Sequence, residues 1–478
     1  MGKPGGFVEF QRVDPQHRPV EERTHDYREI IAPLSDEELR RQAARCMDCG
    51  VPYCHSLGCP LNNVIPNWND MVYRGRWQEA YEQLDQTNNF PEITGRVCPA
   101  PCEAACTLAA NGSAVTVSHI ERSIMEHAFE RGWVVPHPPS VETGKRVAVI
   151  GSGPSGLAAA QQLRRLGHTV VLFEKSDKAG GILRFGIPDF KLEKTILDRR
   201  IDQMAKEGVL FETNVNAGVD ISAEELKRKF DLILLTLGSG HPRDLQIPGR
   251  ELKGIHLALD YLIQSNRYVV GAIKKEDMIW AENKAVLVIG GGDTGADCVG
   301  TAIRQGARKV YQVEILPKPR EWDKPFNPDW PDWPKVLRSS SSHEEGCERD
   351  WSIATKRFEG ENGGVTKAQF IRVDWKEEPD TKQFRMTEIS GSDYSLDVNM
   401  VLLAMGFVHV EHGALVRDLG VAIDERGNIK ADGHYATSVP GVYTAGDAMT
   451  GASLVAWAIK RGREAAASCH EHLQRKIK

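Results

Sequence analysis

Seven of the ten cysteines in this 478-residue chain lie between Cys46 and Cys106, in two bursts. The first, Cys46, Cys49, Cys54 and Cys59, reads C-x2-C-x4-C-x4-C; the second, Cys98, Cys102 and Cys106, reads C-x3-C-x3-C. Thiols crowded in this way, in a chain with no export signal, are metal ligands more often than disulfides. The N-terminal stretch is polar, without the apolar core of a secretory signal, and Met1-Gly2 lacks the serine or threonine of a myristoylation signal. No stretch approaches the roughly 20 apolar residues that span a bilayer. The expected compartment is the cytoplasm, which keeps thiols reduced. A net charge of −6 with no long basic run gives no reason to expect nucleic acid or a membrane surface.

A [4Fe–4S] cluster takes four ligands, normally thiolates, so seven thiols are one short of two clusters. Either one cluster forms with three thiols to spare, or two form with a non-cysteine ligand; the two short-spaced groups favour the second. Glu121, in His119-Ile120-Glu121-Arg122, is the candidate eighth ligand, and a plain surface glutamate is the other reading. Zinc is the main competitor, since Cys46-x-x-Cys49 also suits a zinc site. A redox dithiol is disfavoured because no thioredoxin-like β-α-β pattern surrounds the pair. Cys298, Cys347 and Cys469 lie outside the pattern and read as buried or incidental thiols.

Residues 1 to about 140 read as short helices and loops. Ser35 is placed to cap a helix, with Glu38 completing a capping box, and Trp77 to Leu84 is amphipathic. The strip Pro136-His137-Pro138-Pro139 reads as a linker. From Lys145 the texture becomes strand, turn, helix. The apolar run Arg146 to Ile150 meets Gly151-Ser152-Gly153-Pro154-Ser155-Gly156, a helix to about Leu166, and a strand ending at Glu174. A second copy starts at Lys284: strand 285–289, the turn Gly290-Gly291-Gly292-Asp293-Thr294-Gly295, a helix to about Gln305, and strand 309–313. A further glycine turn, Gly441 to Gly446, ends at Asp447. The serine-rich piece Ser339 to Asp350 reads as an exposed loop.

In G-x-G-x-x-G the first glycine permits a tight turn, the second lets the backbone approach a pyrophosphate, and the third lets the helix pack on the strand. The helix N-terminus then offers free N–H groups to the phosphates. Glu174 is placed to accept from a ribose 2′-OH. Glu314 occupies the comparable place in the second unit and alone favours NADH. Lys318 and Arg320 follow it and can hold the 2′-phosphate of NADPH, so the sequence leaves the choice open. Asp447 can bond a ribityl chain, and the helix after Ala452 can stabilise negative charge on a reduced flavin. Gly181, Gly186 to Lys191, and Gly451 to Leu454 with Ser453 are candidates for the flavin neighbourhood. Hydride transfer between nicotinamide and flavin needs little acid or base help, so no catalytic histidine or serine is assigned. The motifs outline an electron path from nicotinamide through a flavin to iron–sulfur clusters.

The stretch Asn88 to Glu103, with Gly186 to Leu192 and Gly290 to Cys298, resembles the small (β) subunit of bacterial glutamate synthase from about residue 30 to the C-terminus. The same architecture recurs in the N-terminal part of dihydropyrimidine dehydrogenase. The resemblance implies an α/β protein with an α-helical double [4Fe–4S] domain (1–140). An FAD domain in two Rossmann-like parts (145–283 and 405–478) then carries an inserted NADPH domain (284–404). It implies one cluster on Cys46, Cys49, Cys54 and Cys106, and another on Cys59, Cys98 and Cys102 with a group at or near Glu121. The dehydrogenase relative offers a glutamine there. It implies oxidation of NADPH at FAD and electron delivery to a large (α) subunit with FMN and glutaminase sites, which makes L-glutamate from L-glutamine and 2-oxoglutarate. This chain has neither a cysteine near its N-terminus for glutamine hydrolysis nor an eightfold strand–helix array for an FMN barrel. The alternatives are a stand-alone NAD(P)H:ferredoxin-type oxidoreductase and a non-catalytic iron–sulfur assembly subunit. A disulfide-linked flavoenzyme expects a cysteine pair beside the flavin, and residues 145 to 200 contain none.

Overall fold

A computed structural model describes residues 2–378 and 383–475. The cysteine-rich region has short amphipathic segments broken by glycine, proline and cysteine, and it forms helices. Asp36–Ala44, Ile65–Tyr73, Trp77–Asp85, Pro91–Val97 and Val117–Glu130 surround an apolar centre of Leu39, Ile65, Trp68, Leu84, Phe90 and Ile124. Ser35 caps its helix, Oγ accepting from the Glu38 N–H at 3.3 Å. The Glu38 carboxylate turns instead to Gln42, 2.7 Å away, so only half of the expected capping box forms.

The first nucleotide unit is a five-stranded parallel sheet in the order Val442–Thr444, Leu232–Leu235, Arg146–Ile150, Thr169–Phe173, Leu210–Glu212. Its strands are near-continuous apolar runs because both faces are covered. Helix Pro154–Arg165 packs against the long C-terminal helix Val455–Arg475. A Cβ at Gly462 would stand 2.2 Å from the Ser155 carbonyl oxygen, so that helix crossing requires glycine.

The chain leaves this sheet, builds a second, and returns for its last strand. The second sheet runs Ile255–Leu257, Met400–Leu403, Ala285–Ile289, Lys309–Glu314, Glu348–Trp351, all parallel. Two expectations need correcting here. The second unit begins before residue 284: Ile255–Leu257 pairs with Met400–Leu403, and helix Ala258–Val269 follows it. A three-residue strand shows no periodicity to read. Ser339 to Asp350 is not a loop either. It holds the turn Ser341–Glu344, capped by Ser340, and the edge strand Glu348–Trp351. Its charges are consumed internally, with Glu345 fully buried against Arg23 and Arg304. An antiparallel layer, Ile353–Glu361, Gly364–Glu377, Phe384–Glu388 and Tyr394–Asp397, packs alongside. A two-stranded ribbon, His241–Pro242 with Phe407–His409, joins the two nucleotide units.

Candidate cluster and nucleotide sites

The seven clustered cysteines divide between two neighbouring cavities. Cys46, Cys49, Cys54 and Cys106 line one. Cys59, Cys98, Cys102 and Glu121 line the other. Ile65 and Val117 belong to both walls, so the cavities are separated by apolar side chains. The wide turn Cys54–Gly58 sends its two flanking thiols, Cys54 and Cys59, to different cavities. Gly58 is necessary there, since a Cβ would lie 2.7 Å from Cys102 Cα.

Glu121 sits on helix Val117–Glu130 and is 6% exposed, not a surface residue. Its Oε1 accepts from Thr94 Oγ1 at 2.7 Å, Asn88 Nδ2 at 3.0 Å and Asn63 Nδ2 at 3.5 Å. These donors hold the carboxylate beside Cys59, Cys98 and Cys102. Burial pushes its carboxyl up to about 7 in spite of them. Burial also pushes the thiols up: Cys46 and Cys59 to about 11, Cys98 to about 12, with Cys54, Cys102 and Cys106 raised as well. Metal binding at such sites is coupled to release of thiol protons.

The two glycine turns share one geometry. Gly151 has φ +101°, and a Cβ on it would stand 2.5 Å from the Thr236 carbonyl oxygen. Gly290 has φ +124° and would meet the Ala404 carbonyl oxygen at 2.2 Å. At the third glycines, Gly156 and Gly295, a Cβ would lie 1.9 and 2.3 Å from the carbonyl oxygens of Gly151 and Gly290. The middle glycines, Gly153 and Gly292, face open space, as the approach of a pyrophosphate demands. Asp293 and Thr294 open helix Asp293–Arg304.

A second symmetry was not visible in the sequence. Glu174 Oε2 accepts from the Ser152 N–H at 3.2 Å and from its hydroxyl, and Oε1 accepts from the Ser176 N–H at 2.8 Å. Glu314 does the same with Gly291, 2.6 Å, and Leu316, 3.1 Å. Each acid staples its glycine turn to the end of the second strand. Lys318 and Arg320 are exposed and ion-paired, with Glu321 at 2.5 Å and Asp329 at 2.6 Å.

Gly181, at φ +51°, lies against Gly153, where a Cβ would stand 2.8 Å from Gly153 Cα. Gly186 ends the short helix Ile182–Phe185. The Lys191 ammonium forms an ion pair with Asp297 on the helix of the second turn. Next to it, Phe190 lies 3.9 Å from the Arg304 guanidinium. The 186–191 segment therefore bridges the two nucleotide units. Gly446 has φ +69° and packs against Ser155. Asp447 Oδ1 accepts from Ser453 Oγ at 2.7 Å, and burial raises the Asp447 carboxyl. Helix Val455–Arg475 begins just beyond Ser453, and its second residue, Ala456, lines the Glu121 cavity.

The chain's domains have recognisable relatives. Residues 145–462 match the pyridine nucleotide-disulphide oxidoreductase family, and residues 23–133 match the family described as dihydropyrimidine dehydrogenase domain II, 4Fe-4S cluster. The glutamate synthase [NADPH] small chain of Mycobacterium tuberculosis H37Rv is 51% identical, over 99% of this chain and 96% of that protein. The glutamate synthase [NADH] of Schizosaccharomyces pombe is 45% identical over 98% of this chain, which spans 22% of that longer protein. Among solved structures, Mycobacterium tuberculosis FprA in complex with NADPH shares the fold, with a TM-score of 0.54 at 17% identity, over 70% of this chain and 86% of that one. Identity at this level along almost the entire length shows that the chain belongs to the glutamate synthase small-chain family and is an oxidoreductase uniting an iron–sulfur domain with a pyridine nucleotide-type flavoprotein domain.

Proposed function

We propose that this chain is the electron-input subunit of a cytoplasmic glutamate synthase. It takes electrons from NADPH at FAD and passes them through two [4Fe–4S] clusters to a large subunit with FMN and glutaminase sites, which forms L-glutamate from L-glutamine and 2-oxoglutarate. The observation that carries this reading is the pair of adjacent four-donor cavities, the Glu121 cavity being walled by the helix that starts beside Asp447.

When bound, FAD and the clusters supply the hydride acceptor and the one-electron relay. The chain's own residues do the rest. Gly153 and Gly292 admit the pyrophosphates, Glu174 fixes the first turn for a ribose, and Asp447 with Ser453 orients the ribityl side. Cys46, Cys49, Cys54 and Cys106 hold one cluster; Cys59, Cys98, Cys102 and the Glu121 carboxylate hold the other. Among the described residues no three His, Cys, Asp or Glu side chains converge on a single-ion position. Seven thiols and one carboxylate in two groups of four match the ligand demand of two four-iron clusters. Ala456 puts the Glu121 cavity next to the flavin end, so it is the first relay and the Cys106 cavity the second. The domains are then 1–140 for the clusters, 145–240 with 410–478 for FAD, and the part between the ribbon strands for NADPH.

The test is reconstitution. The purified chain should carry about eight iron atoms and one FAD, as two four-iron clusters require, and should support NADPH-driven glutamate formation when mixed with the large subunit. Reduction of a ferredoxin-type acceptor with no transfer to that subunit would favour the stand-alone reading.

A further inference from the structure

The nucleotide unit reaches the chain that carries two of the second cavity's thiols. After Glu314 the chain leaves the second sheet, closes a loop through the Arg320–Val336 pairing, and rejoins at Glu348–Trp351. The tip of this loop lies on the segment of cluster residues around Cys106. Asn327 donates its backbone N–H to the Ala109 carbonyl at 2.6 Å and its Nδ2 to the Ala104 carbonyl at 2.9 Å. Between them, Trp330 Nε1 donates to the carbonyl of Cys106 itself at 3.0 Å. The Trp330 ring also meets Tyr53, the residue before Cys54, with centroids 5.1 Å apart. Three hydrogen bonds therefore bracket one cavity cysteine, and an aromatic contact backs another.

Asn327 is held for this task. Its Nδ2 also donates to the Asp332 carbonyl at 2.8 Å, and its Oδ1 accepts from the Asp329 N–H at 2.9 Å, so the amide ties its own loop together while gripping the segment around Cys106. The residue is 9% exposed. The Glu121 cavity receives nothing comparable from this loop: its lining comes from the helical domain and from Ala456.

We infer that Trp330 and Asn327 are positioning residues for the cluster held by Cys46, Cys49, Cys54 and Cys106, so that the nucleotide unit supports the backbone that carries the thiols of that one site. This rests on the reading of the cavity as an iron–sulfur site. Groups outside the ligand set fix ligand orientation, and an indole N–H on the Cys106 carbonyl is placed to do so. The arrangement also gives the loop a reason to be long: it must span from the sheet beside Glu314 to the segment around Cys106.

The experiment uses the full-length holoprotein with Trp330→Phe, which keeps the ring and removes the donor, and Asn327→Ala, which removes the amide grip. Cys106→Ser identifies which spectral component belongs to this cluster. After dithionite reduction, electron paramagnetic resonance should show a changed line shape in that component alone. Iron release from it to a chelator should accelerate roughly tenfold, the low end of what lost outer-shell support costs a metal site. FAD content and flavin bleaching by NADPH should stay unchanged in both variants. Spectra and release rates equal to wild type in both variants would overturn the inference, as would equal loss of the two clusters. A wild-type chain that binds FAD but no iron would overturn the underlying assignment instead.

Discussion

Arg200 and Glu92 form a two-pronged ion pair with neither side chain exposed: Nε to Oε1 at 2.7 Å and Nη2 to Oε2 at 2.8 Å. Arg200 lies on helix Lys194–Glu207 of the flavin unit, Glu92 on helix Pro91–Val97, whose next residue is Cys98. The pair thus joins the flavin unit to the scaffold of the Glu121 cavity.

Removing one partner leaves a buried charge uncompensated. Arg200→Met should destabilise the chain by about 3–5 kcal/mol, and a second change, Glu92→Leu, should restore much of that. Denaturant unfolding followed by cluster absorbance reads both. A double variant as unstable as the single one would show that the pair's contribution is not mainly electrostatic.

The glycine turns separate folding from binding. Gly156→Ala places a Cβ 1.9 Å from a backbone oxygen and should prevent the helix from packing, lowering soluble yield. Gly153→Ala meets no protein atom, so it should fold with a near-normal melting temperature yet purify without FAD. Gly292→Ala should keep FAD and lose flavin bleaching by NADPH. FAD analysis and thermal melts distinguish the three.

Glu121 offers a test of the eighth ligand. Glu121→Ala removes the only carboxylate among the described residues lining the cavity of Cys59, Cys98 and Cys102. Iron should fall by up to about four atoms per chain, one cluster's complement, while FAD remains. Full iron content in a folded variant would exclude Glu121 as a ligand.

A pH effect follows from His168. Burial, with His470 at 2.9 Å, pushes its imidazole down to about 4 from an ordinary 6.5. The folded state keeps this ring neutral where the unfolded chain protonates it. Its contribution to stability is therefore complete above about pH 6.5 and is lost as the pH falls toward 4. His168→Gln should flatten that limb of a stability–pH profile measured by denaturant titration.

Much of the fold was legible because its signals are local. Both glycine turns fall between a strand and a helix as their spacing requires, and the seven cysteines stood out by density alone. The grouping of those cysteines was a matter of resemblance, since spacing cannot tell that the turn Cys54–Gly58 parts two neighbours. The burial of Glu121 depends on Asn63, Asn88 and Thr94, which are distant in sequence. Ile255–Leu257 escaped notice because three residues carry no alternation, and Ser339 to Asp350 because its charges find partners in Arg23 and Arg304 far along the chain. The ion pair between Lys191 and Asp297 joins residues more than a hundred positions apart, which no local pattern reveals.

The central claim is that electrons pass from nicotinamide to flavin to clusters within this single chain. An anaerobic titration of the isolated protein with NADPH, following flavin absorbance and the paramagnetic signal of reduced clusters together, tests it directly. The account predicts rapid flavin bleaching and the appearance of a reduced-cluster signal with no other protein present. A chain that carries FAD and full iron yet shows neither change with NADPH would contradict it.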